Sequence, residues 1–142
     1  MPSPGLVGRV ERFKRAVLRL VKVREMSKEE FLSNPLVIDA TERNFQVAIE
    51  ALLDVGSFII SKKGWPTPSR YQEIGRELAD QGVLTLEEGK RLSSMAGLRN
   101  ILVHVYAQVD HERLYSLLWR VEELEEIMRK LLDYIEKEGL DP

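Results

Sequence analysis

Apolar residues recur every three to four positions along almost the whole chain. Near the start, Leu6, Val10, Phe13 and Val17 fall on one face of a helix, and the same period returns in each later segment. Such a period is typical of amphipathic helices that bury one face against a common core. No stretch alternates apolar and polar residues for long enough to predict a strand. The sequence therefore predicts an all-α bundle of four to five helices.

Helix start and stop signals divide the chain into segments. Ser27 with Glu30, and Thr85 with Glu88, have the spacing of capping boxes, which begin helices. The segment KKGWPTPSR, residues 62–70, cannot continue a helix because it holds a glycine and two prolines. The predicted helices cover the N-terminal region, residues 36–62, residues 71–81, the segment from Thr85 into RNILVHVY, and, as one last helix, the region after Asp110.

Length, charge and cysteine content narrow the class of protein. A chain of 142 residues is long enough for one domain, predicted to span 1–142. It has no cysteine, no signal-peptide pattern and no apolar run near the roughly 20 residues of a membrane span, so a cytoplasmic protein without a membrane partner is expected. With 21 basic and 23 acidic side chains, it lacks the overall basic charge of many nucleic-acid binders. Any RNA contact must therefore rest on local charge.

The stretch RNILVHVY places four hydrogen-bonding side chains in an aliphatic helix. Asn100 and His104 are four residues apart and share a face. Arg99 lies about 140° round the helix from His104, and Tyr106 lies about 200° from it. Arg99 and Tyr106 can therefore share a cleft with His104 only if the helix ends or distorts near the histidine.

Two interpretations of this stretch stay open on the residues alone. In the first, His104 is a neutral histidine of the core and Arg99 pairs with a nearby carboxylate. In the second, the two form a site for phosphate chemistry, because a guanidinium holds phosphoryl oxygens and an imidazole moves protons near neutral pH. RNA carries its own nucleophile, the 2′-hydroxyl, so this second interpretation requires no metal and no cofactor.

The spacing Arg99-Asn100-x-x-x-His104 resembles the Arg-x(4–6)-His motif of the HEPN superfamily of small helical domains. With Tyr106 added, it resembles the HepT toxin subfamily, formerly DUF86. Three further segments resemble the same subfamily in the same order, namely ERNFQVAIEALLDVG at 42–56, YQEIGRELADQGV at 71–83 and MAGLRNILVHVYAQVD at 95–110. The resemblance spans nearly the whole chain.

The resemblance implies a function as well as a fold. It implies a homodimer with a composite cleft, acting as a metal-independent RNA endonuclease toxin of a type VII-like toxin–antitoxin pair. Arg99 and His104 would be catalytic, and Asn100 would orient the substrate. A cognate minimal nucleotidyltransferase, the antitoxin, would transfer AMP to Tyr106 and silence the toxin. The alternative is a non-catalytic accessory subunit that binds substrate or nucleotide for such a nucleotidyltransferase.

Other residues are weaker candidates. Glu42, in a Glu-Arg pair that the family also has, would orient Arg99, or it forms a simple surface ion pair. Trp65 and Tyr71 are expected to cap the core rather than to stack on a base. His111 is expected beside a helix N-cap. The basic side chains of the first helix are expected to form a solvated face, with RNA or partner binding as the alternative: Arg9, Arg12, Lys14, Arg15, Arg19, Lys22 and Arg24.

Overall fold

The structure, a computed structural model, describes residues 4–104 and 109–141, and within these ranges its regular elements are all helical. In these two ranges seven α-helices follow one another: α1 (Pro4–Val23), α2 (Lys28–Leu32), α3 (Pro35–Lys63), α4 (Ile74–Asp80), α5 (Leu86–Val103), α6 (His111–Leu117) and α7 (Val121–Glu138). Two short 3-10 turns, Tyr71–Glu73 and Leu118–Arg120, precede α4 and α7. The all-α prediction is confirmed.

The long helix α3 forms the centre of the bundle. It packs against α1, α4, α5 and α7, and its side chains Leu52, Val55 and Ile59 are fully buried. By length and composition α3 also meets the criteria for a membrane span, with a mean hydropathy of 1.3 over its best window, contrary to the sequence expectation. However, 61% of that window is buried inside the protein, which is the pattern of a core helix.

The predicted helix starts are confirmed by their hydrogen bonds. In the first capping box, the Ser27 hydroxyl accepts from the Glu30 backbone N–H at 3.1 Å, and the Glu30 carboxylate accepts from the Ser27 N–H at 3.0 Å. Thr85 and Glu88 make the same reciprocal pair at 3.1 and 2.8 Å. These bonds satisfy N–H groups that a helix start leaves without partners, which fixes where α2 and α5 begin.

The single last helix predicted after Asp110 is wrong. It is divided into α6 and α7 by the 3-10 turn Leu118–Arg120. Tertiary contacts explain the division, because the Tyr115 hydroxyl donates to the Met26 carbonyl at 2.7 Å and ties α6 to the turn after α1. No glycine or proline marks this position, so the apolar period runs through it unchanged. The bundle thus has four long and three short helices in the described ranges, more than the four to five predicted.

Helices α4 and α5 cross at two glycines. A Cβ built on Gly89 would lie 2.6 Å from the backbone oxygen of Gly75 and 2.8 Å from the Ala79 Cβ, closer than side chains approach. Glycine at both positions therefore allows the two backbones to touch. This contact fixes the N-terminal half of α5 against α4, which itself packs on α3 beside Gly56.

Candidate functional site

Helix α5 ends directly before His104, and such an end is what the sequence requires if Arg99 and His104 are to share a cleft. Its last helical residue is Val103, and His104 has extended backbone dihedrals, φ −87° and ψ 116°. The His104 side chain is exposed. The interpretation of His104 as a core histidine is therefore wrong. Tyr106, the predicted site of AMP transfer, lies outside the described residues.

Arg99 is held by a carboxylate of the central helix. Its Nε donates to one oxygen of Glu50 at 3.0 Å, and one terminal nitrogen forms an ion pair with the same oxygen at 2.9 Å. The second terminal nitrogen donates to the Asn100 side-chain oxygen at 3.2 Å. Both charged side chains are partly buried, with 21% of Arg99 and 32% of Glu50 exposed. The guanidinium is thus anchored to α3 by a hydrogen bond and an ion pair with Glu50, and to its neighbour Asn100 by a second hydrogen bond.

An aromatic ring supports the same guanidinium. The Arg99 Cζ lies 4.9 Å from the centre of the Tyr71 ring, within the range of a cation–π interaction. A guanidinium has five N–H donors. The hydrogen bonds to Glu50 and Asn100 use two of the donors of Arg99. The terminal nitrogens keep further N–H groups that are suited to bind a phosphoryl oxygen.

The carboxylate beside Arg99 is Glu50 and not Glu42, which corrects the sequence expectation. Glu42 lies two turns earlier on α3, close to Asp39 and His111. Burial and the neighbouring Asp39 carboxylate raise the pKa of Glu42, and His111 only partly offsets this. Spacing on α3 could not identify the partner, because the choice depends on how α3 and α5 align.

Among the remaining candidate residues, Trp65 and His111 lie as predicted and Tyr71 does not. Trp65 is partly buried against the core and contacts the Tyr134 ring at 6.2 Å between centroids, as predicted. His111 begins α6 directly after the N-cap Asp110, whose carboxylate accepts two backbone N–H groups, also as predicted. Tyr71, expected to cap the core, is instead 43% exposed and lies against Arg99.

Sequence reasoning missed Glu50 and misjudged Tyr71. One available signal was that Glu50 is a carboxylate inside the apolar run AIEALL, where a charge needs a partner. For Tyr71 no local signal exists, because its contact is formed only when the loop before α4 reaches α5. Between residues 4 and 104 and between 109 and 141, no group of three or more acidic or histidine side chains is placed to hold a metal ion.

Comparison with solved structures identifies the class of fold. A tri-AMPylated HEPN toxin from Shewanella oneidensis, in complex with its MNT antitoxin, superposes with a TM-score of 0.84 and 21% identity, over 92% of this chain and 98% of that one. YutE from Bacillus subtilis, described as a cytosolic protein of unknown function, superposes with a TM-score of 0.77 and 23% identity, over 94% and 90% of the two chains. The chain has the helical fold of HEPN toxins.

Sequence comparison identifies the family within that class. Residues 9–131 match the family described as ribonuclease HepT-like. The tRNA nuclease HepT from Aphanizomenon flos-aquae is 30% identical over 110 residues, which cover 78% of this chain and 75% of that protein. YutE, named a putative RNase, is 30% identical over 100 residues, or 70% of this chain and 69% of YutE. The chain belongs to the HepT-like family.

Proposed function

We propose that this chain is an endoribonuclease toxin whose catalytic residues are Arg99 and His104. One observation carries the proposal. Arg99 is fixed by Glu50, Asn100 and Tyr71 with N–H donors left over, and the exposed imidazole of His104 follows five residues later at the end of the same helix. Anchored donors and a proton-transfer group at the same helix end are the elements that phosphodiester cleavage requires.

In the proposed reaction, the RNA supplies the nucleophile. The 2′-hydroxyl next to the scissile bond attacks the phosphorus, and the bond from phosphorus to the 5′-oxygen of the next nucleotide breaks. The products are a 2′,3′-cyclic phosphate and a 5′-hydroxyl. His104 takes part in the proton transfer between these oxygens, and Arg99 stabilises the charge that builds on the phosphoryl oxygens. Asn100 positions Arg99 by its side-chain oxygen. No metal ion takes part in this scheme.

A homodimer and an antitoxin complete the proposal. Two copies of the α5 end would face one composite cleft, which concentrates positive charge on a chain of net charge −2. A cognate minimal nucleotidyltransferase would transfer AMP to Tyr106, and the added bulk and negative charge would exclude RNA from the cleft. The AMPylated HEPN toxin with its MNT antitoxin supports this by analogy of fold. The complex would act in the cytoplasm.

Transfer RNA is the substrate class we favour. The support is the relative at 30% identity, which is named a tRNA nuclease. An A-form duplex hides its sequence in a deep groove, so a nuclease of this size would act on an unpaired segment or end, where the 2′-hydroxyl and the phosphate are both accessible.

Cleavage of purified transfer RNA in the presence of a chelator tests the enzyme directly. We expect His104→Ala to lower the cleavage rate by about 100-fold or more, the usual contribution of a general acid or base. The matched control is His111→Ala, which removes the other exposed histidine and should cut normally. Equal loss in both variants, or full activity in His104→Ala, would remove His104 from the mechanism.

Intact-mass measurement tests the antitoxin step. The chain is co-expressed with the neighbouring nucleotidyltransferase, and the wild type is compared with Tyr106→Phe. A mass increase of one or more AMP units in the wild type, absent from the Phe variant, is expected. No increase in either protein would favour the accessory-subunit alternative.

A further inference from the structure

A groove lined by five arginines runs between α1 and α3. Its volume is about 700 Å³. Its floor is made of the small or short side chains Ala40, Val47 and Ala51, which leave space between the two helices. The arginines that line it come from both helices, four from α1 and one from α3: Arg9, Arg12, Arg15, Arg19 and Arg43.

Among residues 4–104 and 109–141, most of these arginines have no ionic partner. Arg9 approaches Asp54 at 3.5 Å, with 47% of each side chain exposed. The other four, which are all exposed, form no salt bridge with a carboxylate of the described residues. Like charges that are gathered without partners repel one another, so such a cluster is typical of a surface that binds an anion.

The charge is concentrated at this place although the chain as a whole is slightly acidic. Helix α1 carries six basic and one acidic side chain, whereas α7 carries three basic and seven acidic ones. Helix α1 is therefore net basic and helix α7 net acidic. The local positive charge that RNA binding requires is therefore present within one chain.

The groove leads to the candidate active site. Glu50 lines the groove and also holds Arg99. On α5, Gly89 packs against the part of α4 that contacts Gly56 of α3, whereas Arg99 contacts Glu50, which lies nearer the start of α3. Helix α5 therefore runs antiparallel to α3. His104 therefore lies further toward the start of α3, the direction in which the groove also extends.

The length of the groove fits a nucleic-acid strand. From Arg9 to Arg19, α1 rises about 15 Å at 1.5 Å per residue. A stacked strand places one phosphate about every 3.4 Å along its axis, so about four phosphates would face the arginines. The small side chains of the floor offer no apolar anchor of the kind that protein interfaces use, which favours RNA over an acidic protein as the occupant.

We propose that the arginine groove between α1 and α3 binds the phosphodiester backbone of the RNA substrate and guides the strand to Arg99 and His104. The inference rests on the proposed ribonuclease function. Arg12 and Arg15, in the middle of α1, make the central phosphate contacts. The α1 cations form an exposed face, as the sequence predicts. For those that line the groove, this proposal takes the alternative that the sequence left open, a role in RNA binding.

Salt-dependent RNA binding tests the groove. All proteins carry His104→Ala so that RNA stays intact, and the probes are unfractionated transfer RNA and a short oligouridylate. The groove variant is Arg12→Gln with Arg15→Gln. Its control is Lys14→Gln with Arg129→Gln, which removes the same charge from exposed residues outside the groove. Circular dichroism checks that both variants fold.

Loss of two phosphate contacts should make the negative slope of log K against log salt shallower by about 1.4 for a single strand, and it should lower affinity at 0.1 M salt by roughly 10- to 30-fold. The control should keep the slope of the parent. Equal RNA binding by the groove variant and the control would overturn the groove as an RNA site and would favour an acidic protein as its occupant. If the protein with His104 intact cuts RNA normally but the groove variant keeps the salt dependence of the parent, the groove proposal fails and the proposed ribonuclease function stands. If the wild type neither bound nor cut RNA, both proposals would fail.

Discussion

The two ends of α5 are built differently. The N-terminal end has a capping box, an ion pair at 2.7 Å between the buried Glu88 and the partly exposed Lys130, and the glycine crossing with α4. The C-terminal end has no glycine cap, leaves Ile101 46% exposed, and carries Arg99 and His104. The first end holds the helix in place, and the second presents side chains to solvent. A helix that is held at one end and open to solvent at the other is suited to hold reacting groups at a fixed position.

If this division is correct, substitutions at the first end should act on the free energy of unfolding and those at the second on RNA cleavage. Gly89→Ala should have the largest effect on stability. The added Cβ meets a backbone oxygen, which cannot move aside as a flexible side chain would. We expect a loss of about 3 kcal/mol, the upper part of the range for overpacking, measured by urea unfolding.

The control for this prediction is Gly8→Ala. A Cβ at Gly8, inside α1, meets nothing within 4 Å, so this variant should gain up to about 1 kcal/mol from the better helix propensity of alanine. If Gly89→Ala were as stable as the wild type, the contact between α4 and α5 would not determine the position of α5.

Glu88→Gln should have the next largest effect, and it should depend on pH. Burial opposes the charge on Glu88, but hydrogen bonds from Lys130 and from the Thr85 backbone outweigh it and hold the pKa of the carboxyl below its ordinary value. Its ionised form therefore stabilises the fold above the ordinary pKa of about 4.3, and this contribution is lost as the pH falls through the lower folded-state pKa.

We expect Glu88→Gln to cost about 1 to 2 kcal/mol at pH 7. The difference between variant and wild type should shrink as the pH of the urea titrations falls from neutrality toward 3. A difference that stays constant with pH would mean that the ion pair with Lys130 contributes little. Glu30→Gln, at the exposed capping box of α2, is the matched control and should cost less.

Glu50→Gln should have the smallest effect on stability and a clear effect on function. Its pair with Arg99 is partly exposed, so we expect less than about 1 kcal/mol. Because Arg99 loses the charge of the partner that holds it and keeps only a weaker amide acceptor, cleavage at saturating RNA should fall by roughly tenfold. RNA affinity should rise, since a negative charge is removed from the groove.

Asp54→Asn separates the two effects of Glu50. It removes the same charge from the same groove, but its partner is Arg9 and not Arg99. It should raise RNA affinity and leave the saturated cleavage rate unchanged. Equal cleavage by both variants would show that Glu50 does not position Arg99.

Local sequence signals predicted what depends on local chemistry. The capping boxes at Ser27 and Thr85 and the end of α3 at Gly64 are set within a few residues, and each was predicted. The division between α6 and α7 was not, because it follows from the contact of Tyr115 with Met26, 89 positions away.

The candidate site also depends on contacts that local sequence signals do not predict. The resemblance of the motif indicated Arg99, Asn100 and His104, but Glu50 and Tyr71 come from other elements and join Arg99 only in the folded chain. Their identity depends on the alignment of α3 with α5 and on the path of the loop after α3. Periodicity along one helix carries no information about either.

The central claim is that Arg99 acts on the transition state of RNA cleavage. Single-turnover cleavage and RNA binding by Arg99→Lys, compared with wild type, test it most directly. Lysine keeps the charge, so the Kd should change by less than roughly threefold. It loses the planar fork that Glu50, Asn100 and Tyr71 orient, so the rate at saturating protein should fall about 100-fold. A weakened Kd with an unchanged saturated rate would make Arg99 a binding residue and contradict the account.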